Sequence, residues 1–185
     1  NKRSVIEHLK QNDTDFALVS VLPNDVLVNV IELMDNKLFL VGSSTGAERL
    51  DRNEPLSAKE VAQLPLIFRE EGSATRAAME RFLRQAGAPI NKRLELVSNE
   101  AVKQAVNADL GYSVMPLIGL KNEIQNDSMR IIPTKGLPIT TTWNLIYNKN
   151  KGLLPASTAM IEYIEAMKDE IINKYFSWYD RFELK

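Results

Sequence analysis

The chain has no cysteine, a single histidine and no long apolar run. The lack of cysteine excludes disulfides, a thiolate nucleophile and any zinc site with thiolate ligands. It is compatible with a reducing cytoplasm, which is the compartment expected. One histidine leaves a transition-metal site short of imidazole ligands. Any Ser-His-Asp triad would have to use that residue, His8. His8 sits beside Glu7 in an opening helical segment and reads as a surface position. No apolar stretch approaches the length that spans a bilayer, so no membrane contact is expected.

Charge of one sign is also lacking. Lys and Arg number 23 against 24 Asp and Glu, a formal net charge of -1. The two signs are interspersed, so the basic stripe of a DNA-binding surface is missing. There is no P-loop and no Gly-x-Gly-x-x-Gly. Gly111-Tyr112-Ser113-Val114-Met115 lacks the second glycine of a nucleophile elbow. The segment 1–10 is neither a signal peptide nor a tag. No enzymatic activity, no cofactor and no metal are expected from these residues.

What is present is ordinary in amount: 185 residues, 44% hydrophobic and 25% charged. That suits one globular domain or two small lobes with real cores. Val5, Ile6 and Leu9 are spaced for a helix, and Phe16–Val19 reads as a strand buried on both faces. Leu27–Met34 and Leu38–Val41 read as two strands around the turn Asp35-Asn36-Lys37. Residues 48–53 read as a loop. Ser57 and Glu60 form a capping box for a short helix that Pro65 stops. Leu66–Phe68 is a strand, followed by an abrupt polar loop, Arg69–Ser73. Met79, Phe82, Leu83 and Ala86 then make a helical stripe.

The unit repeats in kind. Leu94–Val97 is a strand, Ser98 stands at the N-cap position, and Val102, Ala105 and Val106 give the next helix its apolar face. Tyr112–Met115, Met129–Ile132 and Thr140–Tyr147 follow as strands, with Trp143 expected in the core. Pro155 is placed for the first turn of a last helix, whose buried stripe is Ile161, Ile164, Met167 and Ile171. Strands alternating with helices predict an α/β fold with mostly parallel sheets. The end packs five aromatics into eight positions: Tyr175, Phe176, Trp178, Tyr179 and Phe182. They read either as a cover for the domain's own apolar surface or as a subunit contact.

Ligands of open α/β sheets bind outside the carboxyl ends of strands. Here those exits are Ser20, the loop from Arg69 to Thr75, and Ser98-Asn99. The last two lead into helix starts, where unpaired backbone N–H groups and the helix dipole favour an anion. A serine there either caps the helix or binds a carboxylate or phosphate, and both readings stand for Ser73 and Ser98. Gly72 allows close approach of a ligand. Glu70-Glu71 reads as a solvated loop with one charge paired to Arg69 or Arg76, because adjacent side chains on an extended chain point apart.

Three ordered blocks carry a resemblance. Asp15-Phe16-Ala17-Leu18-Val19-Ser20, Pro65–Arg76 (Pro-Leu-Ile-Phe-Arg-Glu-Glu-Gly-Ser-Ala-Thr-Arg) and Leu94–Pro116 resemble the effector domain of LysR-type transcription regulators. The likeness runs to about Glu165. It implies two Rossmann-like lobes of the type 2 periplasmic-binding-protein kind, hinged by two crossing strands. Residues 1–63 and 138–185 would form lobe I, and 64–137 lobe II. It also implies a small, anionic metabolite held between the lobes. By matching position, its contacts would be Ser20, Arg69, Ser73, Thr75, Ser98, Asn99, Met115 and Pro116. DNA would be contacted only through a winged-helix domain absent from this chain, in a homodimer or homotetramer. A periplasmic solute-binding protein of the same fold is the alternative. Two departures stand out. The strand-helix-strand unit usual ahead of Asn1 is absent, and Asp109 stands where the family commonly has glycine.

Overall fold

The computed structural model describes residues 1–50, 53–87, 89–180 and 182. In chain order the elements begin with α1 (Lys2–Lys10), β1 (Ala17–Val19), β2 (Val28–Ser43), α2 (Ser44–Glu48) and α3 (Ala58–Gln63). Then come β3 (Leu66–Arg69), α4 (Ala74–Arg84), β4 (Lys92–Leu96), α5 (Asn99–Asn107) and β5 (Ser113–Pro116). The last are α6 (Lys121–Gln125), β6 (Met129–Ile131), β7 (Ile139–Asn148) and α7 (Pro155–Asp180).

The chain divides into two compact units. One is Asn1–Asn36 with the segment from Thr141, the other Lys37–Thr140. The expected division at 63/64 is therefore moved to 36/37, whereas the return lies three residues past the expected 137/138. The reason is packing. Leu38, Leu40, Leu56, Val61 and Ala62 share one apolar core with Leu66, Phe68, Phe82 and Leu83. Burying that surface together decides which unit the segment joins. Two strands carry the chain between the units, β2 outward and β7 back.

In the first unit, Asn1 caps α1 by accepting a 3.2 Å hydrogen bond from the Ser4 amide. Ile6 and Leu9 pack with Ala17, Val19 and Ile146. β1 pairs antiparallel with β7, Leu18 opposite Leu145. β1 is covered on one face only: Ala17 and Val19 are buried but Leu18 is 58% exposed. That corrects the expectation of a strand buried on both faces. Along α7, Ile161 and Ile164 meet Ile31 and Leu145. Asp15 fixes the start of this helix, accepting from Lys151 at 2.6 Å and Ser157 at 2.9 Å. Tyr179 is fully buried while Tyr175 is 59% exposed, so part of the aromatic end covers apolar surface of its own chain. Trp143 is only partly buried, although its indole nitrogen is sealed from solvent and meets no acceptor among the described residues.

In the second unit, β2 pairs antiparallel with β5 and β6. β3 and β4 pair in parallel, and Leu66 bridges Tyr112 in parallel. The expected predominance of parallel pairing fails at β2 and β7. β2 runs antiparallel to β5 and β6, and β7 runs antiparallel to β1. β2 is also one continuous strand of 16 residues. The turn expected at Asp35–Lys37 does not form, because Asn36 is buried and donates to Thr141 Oγ1 at 3.0 Å. Within the span read as a loop from residue 48, the chain has just left α2, capped by Ser43. The capping box of α3 forms as expected. Gly111 is needed for close approach: a Cβ there would lie 2.3 Å from the Pro65 carbonyl oxygen. The approach lets Tyr112 N–H donate to that same oxygen at 2.9 Å, laying the start of β5 against β3.

Candidate functional site

β3 and β4 lie side by side in parallel, Arg69 opposite Leu96. Their carboxyl ends therefore open together, and each feeds a helix within a few residues. The Glu70 amide extends the ladder to Leu96 O at 3.0 Å. Gly72, at φ +85°, then turns the chain through the left-handed region, which costs a glycine no Cβ clash. The turn delivers Ser73 to the N-cap of α4, where its Oγ accepts from the Arg76 amide at 3.4 Å. Ser98 caps α5 in the same way, accepting from the Ala101 amide at 3.0 Å. Capping uses the acceptor side of each hydroxyl, and a hydroxyl also carries one O–H donor. The two helix starts thus set serine donors beside first-turn N–H groups. Ser73 is buried.

Arg69 ties the two exits together. Its Nε and Nη2 donate to the two carboxylate oxygens of Glu70 at 2.8 and 2.9 Å. Its Nη1 donates to the side-chain oxygen of Asn99, the first residue of α5. Behind it, Arg76 donates to Glu80 at 2.7 Å and to the Arg69 carbonyl at 3.2 Å, and pairs with Glu95 at 2.9 Å. Glu80 and Glu95 together hold the Arg76 guanidinium above its already high pKa. Lys92, with Arg76, holds the Glu95 carboxyl below the usual range. The region is electrostatically closed: each guanidinium faces a carboxylate.

The structure therefore brings Arg69, Ser73, Thr75, Ser98 and Asn99 to one edge of the second unit, with Thr75 on the first turn of α4. Among the described residues, no hydrogen bond joins Met115 or Pro116 to them. They lie buried in β5, paired with Phe39 and Leu38 of β2. Ser20 follows β1 in the first unit. The Glu70-Glu71 reading is half corrected. Glu71 is solvated, but Glu70 is 14% exposed and bound to Arg69. The signal was the Arg-Glu pair at the end of a buried strand, where the chain stops being extended and neighbours can fold together. Glu80, four residues after Arg76 on α4, was a helical signal left unused, whereas Glu95 on β4 carried none.

Elsewhere in the first unit a cavity of about 420 Å³ is lined by Val5, His8, Asp13, Phe16 and Leu18 among others. His8 is exposed on α1, its Nδ1 3.1 Å from Asp13. Among the described residues, no group of three His, Asp or Glu side chains is placed to hold a metal ion. No described helix is long and apolar enough to cross a membrane.

Residues 1–168 match the family model described as the LysR substrate binding domain. The chain is 34% identical over 164 residues to the RuBisCO operon transcriptional regulator of Allochromatium vinosum, covering 89% of this chain and 54% of that protein. It is 30% identical over 171 residues to the HTH-type transcriptional activator CmpR of Synechocystis sp., covering 92% and 56%. It thus spans about half the length of these relatives. Among solved structures, the CcmR regulatory domain of Synechocystis PCC6803 in complex with 2-PG superposes with a TM-score of 0.83 at 26% identity, over 91% of this chain and 80% of that one. The effector binding domain of QuiR in complex with shikimate shares the fold, with a TM-score of 0.76 at 18% identity over 91% and 78%.

Proposed function

The chain belongs to the LysR substrate-binding domain family, and we propose that it is the effector-sensing part of a transcription regulator, responding to a small anionic metabolite. Its relatives are transcription regulators rather than solute carriers, which favours sensing over transport. The observation that carries the ligand reading is the pair of serine-capped helix starts at the adjacent exits of β3 and β4. Such starts favour acceptor groups and negative charge. We assign Ser73, Thr75 and Ser98 of the second unit to the contact set, with Arg69 and Asn99 at its edge.

Effector binding shifts a regulator only if the ligand prefers one of its conformations. In this proposal the preference is read out through a DNA-binding segment of the whole protein, a cytoplasmic homodimer or homotetramer without catalytic activity. The similar CcmR domain was captured with 2-PG, so that compound is the first to test. The full-length regulator is screened by thermal shift, since a ligand specific for the folded state raises the melting temperature. Calorimetry on Ser73→Ala and Ser98→Ala then tests the site. Each variant is expected to bind the hit about tenfold more weakly, the worth of one hydrogen bond to a charged group. Unchanged affinity in both sinks the site assignment.

A further inference from the structure

Arg69 is the guanidinium nearest the proposed effector site, yet it is already engaged on three nitrogens. We propose that Glu70 is a specificity-determining residue: it clamps Arg69 across the two strand exits, so the site recognises its effector with neutral donors and rejects small inorganic anions. This rests on the reading of the β3 and β4 exits as the effector site.

The geometry carries the argument. A guanidinium binds carboxylate or phosphate best through one edge, two parallel N–H groups at once. In Arg69 the Nε–Nη2 edge is spent on both oxygens of Glu70. The remaining nitrogen, Nη1, holds Asn99. An incoming anion would have to displace one of them to gain the fork. The two side chains are 12% and 14% exposed, so solvent and salt screen their attraction little. Their charges cancel, so the pair offers an approaching anion no net attraction.

Arg76 does not replace it, being held by Glu80, Glu95 and the Arg69 carbonyl. Left to meet a ligand at the two helix starts are the hydroxyls of Ser73, Thr75 and Ser98 and the first-turn amides. Neutral donors of this kind reward a molecule whose acceptors fall at both helix starts together. They give little to a bare ion that offers charge alone.

The test uses inorganic phosphate as probe and the full-length protein, by calorimetry, with Glu70→Gln and Glu70→Ala. Each is compared with the same variant carrying Arg69→Met. Releasing Arg69 is expected to raise phosphate affinity about tenfold or more, the worth of a charge-assisted hydrogen bond. The gain should vanish in the double variants. No gain in either single variant overturns the proposal, including the case in which nothing binds phosphate. So does a gain that survives loss of Arg69. A second measurement needs no variant of Glu70: the side-chain NMR signal of Arg69 in the wild-type protein should stay fixed as phosphate is added, and a saturable shift overturns the clamp. Failure here is distinct from failure of the site itself, which is read by effector binding to Ser73→Ala and Ser98→Ala.

Discussion

Asp109 grips Arg49 from sixty positions away: a single guanidinium nitrogen of Arg49 donates to both carboxylate oxygens, at 2.7 and 2.8 Å. The same carboxylate accepts from Ser43, the cap of α2, at 2.7 Å. Asp109 stands at φ +60°, in the left-handed region where glycine is usual and aspartate is among the better tolerated alternatives. Where the family commonly has glycine, this chain meets the backbone requirement and gains a clamp between α2 and the end of α5.

Asp109→Ala is expected to lower stability through lost anchoring plus left-handed strain of about 1 kcal/mol. Asp109→Gly should fall between that variant and the wild type, since it removes the clamp but not the conformation. Thermal unfolding of both variants checks the order. Equal melting temperatures for alanine and glycine would show that strain at this position is immaterial.

The pH dependence has a definite sign. Arg49 first, then Ser43, pulls the Asp109 carboxyl below its ordinary value of 3.8. A group whose folded pKa is depressed lends stability above its unfolded pKa and loses it as pH falls through the folded one. Stability from Asp109 should thus be complete at neutral pH and decline below about pH 4, the unfolded aspartate range. Asp15 and Asp127 are lowered by Lys151 and Arg130 and act in the same direction. In Asp109→Asn the fall between about pH 4 and pH 2 should be shallower than in the wild type. Urea midpoints across that range measure it.

Gly111→Ala should be severe. Its Cβ would sit 2.3 Å from a backbone oxygen, which cannot rotate away as a side chain can. Overpacking of this kind costs about 3 kcal/mol or more when the obstacle is rigid. Gly119→Ala is the control: nothing lies within 4 Å of the Cβ built there, so its effect should stay within about 0.5 kcal/mol. Comparable losses in both would show that the β3–β5 approach is looser than it looks.

Arg76→Met removes a side chain that is 13% exposed and leaves Glu80 and Glu95 without that partner. Stranding the partners of a shielded charge costs about 1–3 kcal/mol. Chemical denaturation should show a loss in that range, and Glu95→Gln, at the more exposed end, a smaller one. The double variant should cost less than the two singles added, because both break one network. Strict additivity would mean that Arg76 and Glu95 do not depend on each other.

The α/β character, the capping box at Ser57 and the N-cap position of Ser98 were legible in the chain itself, whereas Ser73 stood open between cap and ligand contact until the structure showed it capping α4. The first three rest on interactions within a few residues, so local chemistry settles them. The family likeness was legible for the same reason, since its blocks are contiguous strand-exit segments. β2 was not. Its middle residues Asp35-Asn36-Lys37 have turn composition, and only the distant Thr141 makes burying Asn36 tolerable.

The sequence alone determined where α3 and α5 start, which residues are apolar and that serines stand at the β3 and β4 exits. Those are properties of neighbours along the chain. The tertiary structure decided that residues 37–63 join the second unit, that β2 pairs antiparallel with β5 and β6 and β7 with β1, and that Met115 and Pro116 are buried in β5. It also decided that Arg69 is spent on Glu70 and Asn99 while Arg76 answers to Glu80 and Glu95. Most of those outcomes depend on which apolar faces bury each other and which charges then meet away from water; only the Arg69–Glu70 and Arg76–Glu80 pairs lie within a few residues along the chain.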